Sequence, residues 1–149
     1  MSAARTTVLV IDDEAQIHRF LSPALDAAGF DPKRADSGQE GLRAIALWSP
    51  DAVLLDLGTP GMSGLQFALR FRDLPGCGAT PIVAVTGYPD LALSARGVGI
   101  DHYLLKPMLG LSVLRDLLKR LTVGSEPSRP RTGPWRRWES LRTERRATV

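Results

Sequence analysis

Three aspartates stand where short apolar runs of the sequence end. Asp12 and Asp13 directly follow residues 8–11, and Asp56 directly follows residues 53–55. Carboxylates that gather at one place repel one another unless a cation neutralises them. Oxygen ligands of this kind suit Mg²⁺, which commonly bridges carboxylates to phosphate oxygens, and Mn²⁺ would substitute for it. We therefore expect a divalent-cation site built from these aspartates, provided that the fold brings them together.

Two further polar residues lie at the ends of later apolar runs. Thr86 ends the run of residues 81–86, and Lys106 follows the run of residues 103–105. A lysine charge and a threonine hydroxyl would bind those oxygens of a phosphoryl group that the cation does not contact. Asp56 would then be the nucleophile that receives the group. Together with the other two aspartates, these residues predict phosphoryl transfer to a carboxylate.

The elements that would position these residues follow from the periodicity of the apolar side chains. Short apolar runs predict strands, and apolar residues three or four positions apart predict helices. The predicted strands cover residues 8–11, 30–36, 53–55, 81–86 and 103–105, and the predicted helices cover residues 14–28, 37–48, 65–71, 90–96 and 111–121. Such alternation is typical of a parallel sheet with helices on both faces, in which ligands bind beyond the carboxyl ends of the strands.

Single residues refine this arrangement. Pro32 has no amide hydrogen to donate, so the second strand is expected at an edge of the sheet. Ser37 is expected to cap the second helix. His18, with no second metal-type ligand nearby in the predicted helix, is interpreted as a surface residue. The first helix is expected to bury the apolar stripe of Ile17, Phe20, Leu21, Ala24, Leu25 and Ala28.

The composition favours a soluble protein of the cytoplasm. The chain has 149 residues, of which 44% are hydrophobic and 23% are charged, as in an ordinary globular domain. Its apolar runs are too short to span a bilayer, and the first of them ends in acidic residues, unlike a signal peptide. Cys77 is the only cysteine and cannot form an internal disulfide. With no evident activating group nearby, its thiol is expected to be inert.

The net charge of +3 is unevenly distributed along the chain. Residues 1–121 hold 12 Lys and Arg against 13 Asp and Glu, whereas residues 122–149 hold seven Arg against three Glu. This shift predicts a domain of residues 1–122 and a basic, Pro- and Arg-rich tail of residues 123–149. The tail is expected to be disordered or to form a short amphipathic helix. It is too short for a DNA-binding module with its own core, so direct nucleic-acid binding is not expected.

Four segments of the sequence resemble the signature segments of two-component response regulator receiver domains. They are VLVIDDE, VLLDLGTPGMSG, IVAVTG and YLLKP, and the resemblance covers roughly residues 6–121. It implies a flavodoxin-like (βα)5 sandwich with a parallel five-stranded sheet in the order 2-1-3-4-5. It also implies a stand-alone signalling domain, similar to chemotaxis response regulators, rather than an enzyme. Asp56 would accept its phosphoryl group from a phosphohistidine on a sensor histidine kinase or a histidine phosphotransfer protein.

The resemblance also implies how the cation is held. Asp13 and Asp56 would bind Mg²⁺ through their side chains, Asp12 through a water molecule, and Gly58 through its backbone carbonyl. Gly58 departs from the usual family pattern because it lacks a side chain that often modulates the access of water. We therefore expect the lifetime of the phosphorylated state, but not its formation, to differ from that of other members.

The same resemblance assigns the signalling residues. Thr86 and Lys106 would each bind a phosphoryl oxygen, and Tyr103 would turn inward when Thr86 moves toward the phosphoryl group. The Lys106–Pro107 peptide bond would be cis, as the low penalty before proline allows. The output would be altered contact with a downstream protein, with a phosphorylation-dependent homodimer as a further outcome.

Other interpretations of these residues lead to different functions. Asp12 or Asp13 would alternatively cap the helix that begins near Glu14. A phosphatase of the haloacid dehalogenase type also uses an aspartyl nucleophile with Mg²⁺, but it needs a second acid where Gly58 stands. A nucleotide-binding protein would need a glycine-rich loop after the first strand, where this chain has acidic residues.

Overall fold

One parallel sheet forms the centre of the fold. The computed structural model describes residues 5–47, 49–58, 61–87, 99–105 and 111–122, with Leu105 described by its backbone alone. The strands are β1 (Thr6–Ile11), β2 (Phe30–Ala35), β3 (Ala52–Asp56), β4 (Ile82–Thr86) and β5 (His102–Leu105). The helices within these ranges are α1 (Ala15–Ala27), α2 (Gly38–Ile45), α3 (Gly64–Asp73) and α4 (Leu111–Thr122). All five predicted strands are confirmed, whereas the helix predicted at residues 90–96 and the tail of residues 123–149 lie outside the described residues.

The strand order is β2-β1-β3-β4-β5, with every neighbouring pair parallel. This is the flavodoxin-like order that was expected. Pro32 of β2 lies opposite Val8 of β1. Strand β2 is at an edge of the sheet, as its proline predicts. The order reverses between β1 and β3, so the carboxyl ends of these two strands border the crevice in which such sheets bind ligands.

The sheet is covered on both faces. Alternate residues of β1 belong to two separate hydrophobic clusters. Leu9 and Ile11 lie in the first cluster, and Val8 and Val10 lie in the second. Residues of α2 and α3 complete the first cluster, and residues of α1 and α4 complete the second. Burial on both faces explains why the strands read as continuous apolar runs rather than as alternating patterns. Among the described residues, no helix is both long enough and apolar enough to cross a membrane.

Two serines begin helices through hydrogen bonds to the first turn. The Ser37 side chain accepts a bond of 3.2 Å from the amide of Glu40, which confirms the predicted cap of α2. At the start of α3, the Ser63 side chain accepts from the Gln66 amide at 3.2 Å, and the Gln66 side chain accepts from the Ser63 amide at 3.0 Å. Such a reciprocal pair satisfies two amides that the helix leaves without partners and stabilises it by about 1 kcal/mol. This capping box of Ser63 and Gln66 fixes the start of α3, which lies close to Asp56 in the sequence.

The buried face of α1 differs from the expected stripe. Phe20 is 54% exposed, whereas His18 is 3% exposed and lies on the buried side with Leu21 and Leu25. The interpretation of His18 as a surface residue is therefore wrong. The imidazole can be buried because its Nε2 atom is 2.6 Å from the backbone oxygen of Asp12, a partner that replaces water.

Candidate functional site

The register of β1 against β3 brings the acidic residues together. Ile11 pairs with Leu55, and the next residues along the two strands are Asp12 and Asp56. One carboxylate oxygen from each of Asp12, Asp13 and Asp56 lies within 4.8 Å of the others. The expectation that these three side chains converge at the carboxyl edge of the sheet is thus met, and we call them the acidic cluster.

Backbone amides orient two of the three carboxylates. Asp12 is 2% exposed and its Oδ1 atom accepts a bond of 2.9 Å from the amide of Glu14. Asp56 is 8% exposed and its Oδ1 atom accepts a bond of 3.1 Å from the amide of Gly58. Each bond closes a turn of the kind that aspartates make with the residue two positions later. Asp13 is exposed, so the acidic cluster is buried on one side and open to solvent on the other.

The alternative interpretation, in which Asp12 caps α1, is wrong, because Glu14 and not Asp12 is the N-cap residue. Glu14 occupies the N-cap position of α1, and its own side chain makes no capping bond. The Asp12 carboxylate instead binds the Glu14 amide and still reaches the other two aspartates. A local backbone role and a place in the acidic cluster are therefore compatible in the same side chain.

The segment after β3 packs directly against the start of α3. The Gly64 amide donates to the carbonyl of Leu57 at 3.3 Å. A Cβ atom at Gly64 would lie 2.6 Å from Leu57 Cα and 2.8 Å from the backbone oxygen of Asp56, closer than real Cβ contacts. Only glycine lets the helix approach the backbone of the proposed nucleophile this closely. Sequence reasoning did not single out this glycine, although it closes the motif in which Asp56 lies.

The two remaining described site residues lie on the strands beyond Asp56. Thr86 ends β4 one residue beyond the pairing partner of Asp56, and it is fully buried. Tyr103 lies in β5 and is 44% exposed. The carboxyl edge thus collects Asp56 and Thr86, with the exposed tyrosine on the neighbouring edge strand. Lys106 and the Lys106–Pro107 bond lie outside the described residues, so their roles stay predictions.

The donor chemistry of the acidic cluster fits a hard divalent cation. The three side chains supply only oxygen atoms, and one of the three carboxylates is open to solvent. Mg²⁺ prefers such ligands, keeps several water molecules and joins carboxylates to phosphate oxygens. A cation would also relieve the repulsion among three like charges.

The Cys77 thiol was expected to be inert. Cys77 lies in the segment that follows α3 and is fully buried in the hydrophobic cluster on the α2 and α3 side of the sheet. Burial raises the pKa of Cys77 to about 12, because the thiolate would lose its contact with water. This environment agrees with an inert cysteine.

A parallel sheet in the order 2-1-3-4-5 with acidic side chains at its switch point defines a ligand-binding domain of the flavodoxin-like class. Residues 8–119 match the family model described as the response regulator receiver domain, and the chain belongs to this family. It is therefore a receiver domain of a two-component signalling protein.

Individual proteins support the same assignment. The chain is 35% identical to the KDP operon transcriptional regulatory protein KdpE of Escherichia coli over 116 residues, which cover 76% of this chain and 50% of KdpE. It is 37% identical to the transcriptional regulatory protein KdpE of Mycobacterium tuberculosis over 130 residues, which cover 84% of this chain and 56% of that protein. The chain thus spans about half the length of these curated relatives.

A solved structure shows the same fold. The chemotaxis protein CheY4 of Vibrio cholerae superposes with a TM-score of 0.74 at 28% sequence identity. The alignment covers 79% of this chain and 99% of CheY4. The expected likeness to chemotaxis receivers is therefore confirmed at the level of the fold and the family.

Proposed function

We propose that this receiver accepts a phosphoryl group on Asp56 while the acidic cluster binds a divalent cation such as Mg²⁺. The observation that carries the proposal is the convergence of three carboxylates within 4.8 Å at the carboxyl edge of the sheet. Such an arrangement disfavours folding by like-charge repulsion and has a use when a cation and a phosphoryl group bind there.

The proposed reaction moves a phosphoryl group from a histidine to Asp56. A carboxylate oxygen of Asp56 attacks phosphorus, and the new oxygen–phosphorus bond forms as the nitrogen–phosphorus bond of the donor phosphohistidine breaks. The electron pair of the broken bond stays on the imidazole nitrogen, which takes up a proton. The amide of Gly58, bonded to Oδ1, helps to hold the carboxylate in one orientation for this attack.

The cation would be held by side-chain oxygens of Asp13 and Asp56, by Asp12 through water, and by the Gly58 carbonyl. When bound, it would neutralise charge on the carboxylates and on the phosphoryl oxygens. Because Asp13 is exposed and Asp12 is buried, a cation would be accessible to solvent on one side and would face buried residues on the other.

Signalling is proposed to run from Thr86 to Tyr103. Thr86 is buried at the same edge as Asp56, where its hydroxyl would bind a phosphoryl oxygen, and Lys106 would bind another. Tyr103 is 44% exposed, which suits a side chain that has not yet turned inward. Phosphorylation would thereby change the surface around β5 and α4 and the proteins that it contacts.

The partners in this proposal are proteins of a cytoplasmic phosphorelay. A sensor histidine kinase or a histidine phosphotransfer protein supplies the phosphoryl group, and a downstream protein reads the state of the domain. Residues 1–122 are the phosphoacceptor domain, and residues 123–149 contribute to partner contact. The interpretation of the chain as a single-domain regulator stays a prediction.

The proposal is tested by phosphorylating the full chain with acetyl phosphate and Mg²⁺. We expect one acid-stable, base-labile phosphoryl group per chain, none with Asp56→Asn, and none after chelation of the metal, because the carboxylate charges would no longer be neutralised. Asp116→Asn, which changes an exposed aspartate on α4, is the matched control and should behave like the wild type. Equal phosphorylation of the Asp56→Asn and wild-type chains would refute the assignment.

A further inference from the structure

His18 is a polar side chain buried where the sequence pattern placed an apolar one. Its Nε2 atom lies 2.6 Å from the backbone oxygen of Asp12. Because a carbonyl oxygen can only accept, Nε2 must carry the hydrogen and donate it. The other ring nitrogen, Nδ1, is buried and has no hydrogen-bond partner among the described residues.

Packing alone does not account for a histidine at this position. A buried ring nitrogen without a partner disfavours folding, since it loses its hydrogen bond to water and gains nothing. A leucine at this buried position of α1, which shares its buried side with Leu21 and Leu25, would avoid that penalty. The feature that an apolar side chain cannot reproduce is the hydrogen bond to Asp12.

Asp12 is held from three directions. Its amide donates to the carbonyl of Ala35 at 3.1 Å, its carboxylate accepts from the Glu14 amide at 2.9 Å, and its carbonyl accepts from His18. That carbonyl belongs to the planar peptide unit that joins Asp12 to Asp13, so its orientation fixes the N and Cα atoms from which the Asp13 side chain leaves the backbone. The His18 bond therefore acts on two members of the acidic cluster at once.

We propose that His18 is a positioning residue for the cation site, which it serves by fixing the peptide unit between Asp12 and Asp13. Without a cation, repulsion among the three carboxylates favours spreading of this turn. The hydrogen bond from α1 opposes that spreading, so the carboxylates stay close together before the cation arrives. This inference rests on the proposed cation-dependent function of the acidic cluster.

The imidazole of His18 has a second, longer contact, with a carboxylate oxygen of Asp36 that also accepts a hydrogen bond from Arg34. Nε2 lies 3.6 Å from Oδ1 of Asp36, which follows β2, and the same oxygen accepts from Arg34 at 2.7 Å. Asp36 thus has its own cationic partner at closer range. The Asp12 carbonyl is the main acceptor for His18.

The test compares three substitutions at His18 in the full chain. The amide nitrogen of His18→Gln can reach the place of Nε2, whereas the shorter His18→Asn and the apolar His18→Leu cannot donate to Asp12. We expect Mg²⁺ affinity, measured by calorimetric titration, to fall about tenfold in the Asn and Leu variants and to stay near wild type in the Gln variant. The preference for Mg²⁺ over the larger Ca²⁺ should fall in the same two variants, because a looser set of ligands tolerates the larger ion.

Controls separate positioning from general stability. His102, the other histidine of the chain, is exposed on β5, and its Gln and Asn variants should leave Mg²⁺ affinity unchanged. Urea denaturation of each variant shows whether loss of affinity follows loss of folding. A wild-type chain that binds no Mg²⁺ would refute the proposed function. Normal Mg²⁺ binding by the wild type and by a folded His18→Leu, or a folded His18→Gln as weak as the Asn variant, would refute the role of His18 alone.

Discussion

At the amino-terminal edge of the sheet, the carboxylate of Asp101 lies between the guanidinium of Arg72 and the first amide of β4. At the carboxyl-terminal edge, three aspartates lie within 4.8 Å of one another. Both edges thus use aspartates at the ends of strands or just beyond them. The Asp101 oxygen is 3.1 Å from Arg72 and 2.9 Å from the amide of Ile82, so its charge is matched by a neighbour within the fold.

Arg72 shows how thoroughly the amino-terminal edge is tied together. Its guanidinium donates to the carbonyl oxygens of Cys77 at 2.7 Å, Thr80 at 2.6 Å and Gly99 at 2.6 Å, in addition to Asp101. These bonds join the end of α3 to the segments that precede β4 and β5. The side chain is only 17% exposed, so its bonds are partly shielded from water.

The difference between the edges separates stability from chemistry. A carboxylate that faces its own cation stabilises the fold, and its removal leaves buried polar groups unsatisfied. Carboxylates that face one another repel, and a cation that binds between them relieves this repulsion. Substitutions at the amino-terminal edge should therefore reduce stability and spare the chemistry, and substitutions in the acidic cluster should do the reverse.

The largest change in stability is expected from Arg72→Ala. Loss of the guanidinium leaves three carbonyls and Asp101 without this donor, which should lower the free energy of unfolding by about 2–4 kcal/mol. Urea denaturation measures the change, and the folded variant should still be phosphorylated. Arg70→Ala, an exposed arginine on the same helix, should change stability by less than about 0.5 kcal/mol. Equal effects of the two substitutions would contradict the structural role of the amino-terminal edge.

A smaller loss is expected from Gly64→Ala, at the carboxyl-terminal edge. The added methyl group would meet the backbone of Leu57 and Asp56, so α3 must shift, at a cost of about 1–3 kcal/mol. Gly78→Ala is the matched control, because a Cβ atom there meets nothing within 4 Å. Thermal unfolding of both variants gives the comparison. A neutral Gly64→Ala would show that the close approach of α3 is not needed.

The smallest change, of opposite sign, is expected from Asp56→Asn in the absence of divalent cations. The amide keeps an oxygen that can accept from Gly58 but removes one of three clustered charges. The free energy of unfolding should therefore rise by up to about 1 kcal/mol. Urea denaturation with a chelator present measures it, and added Mg²⁺ should narrow the difference between the variant and the wild type. Clear destabilisation by this substitution would mean that Asp56 is primarily structural.

Much of this arrangement could be predicted from local signals. The apolar runs gave the strands, Pro32 gave an edge, and the rule that parallel strands end at one edge placed Asp12 near Asp56. These predictions succeed because each depends on a few adjacent residues and on general rules of sheet topology.

The features that escaped prediction depend on distant parts of the chain. The spacing of α1 allows either Phe20 or His18 to face the core, and hydropathy favours the phenylalanine. Buried His18 has a hydrogen-bond partner in the Asp12 carbonyl, and hydropathy does not reveal that partner. Arg72 likewise reads as a surface arginine, because its partner Gly99 lies 27 residues away in the sequence. Tertiary hydrogen bonds of this kind leave no periodic signal.

The most direct test of the central claim is to locate the phosphoryl group itself. Borohydride reduces an aspartyl phosphate to homoserine, and peptide mass spectrometry identifies the residue that has changed. After treatment with acetyl phosphate and Mg²⁺, the proposed chemistry predicts homoserine at position 56 and at no other aspartate. Reduction at Asp12 or Asp13, or a phosphoryl group retained on Ser63 with Asp56 unmodified, would contradict it.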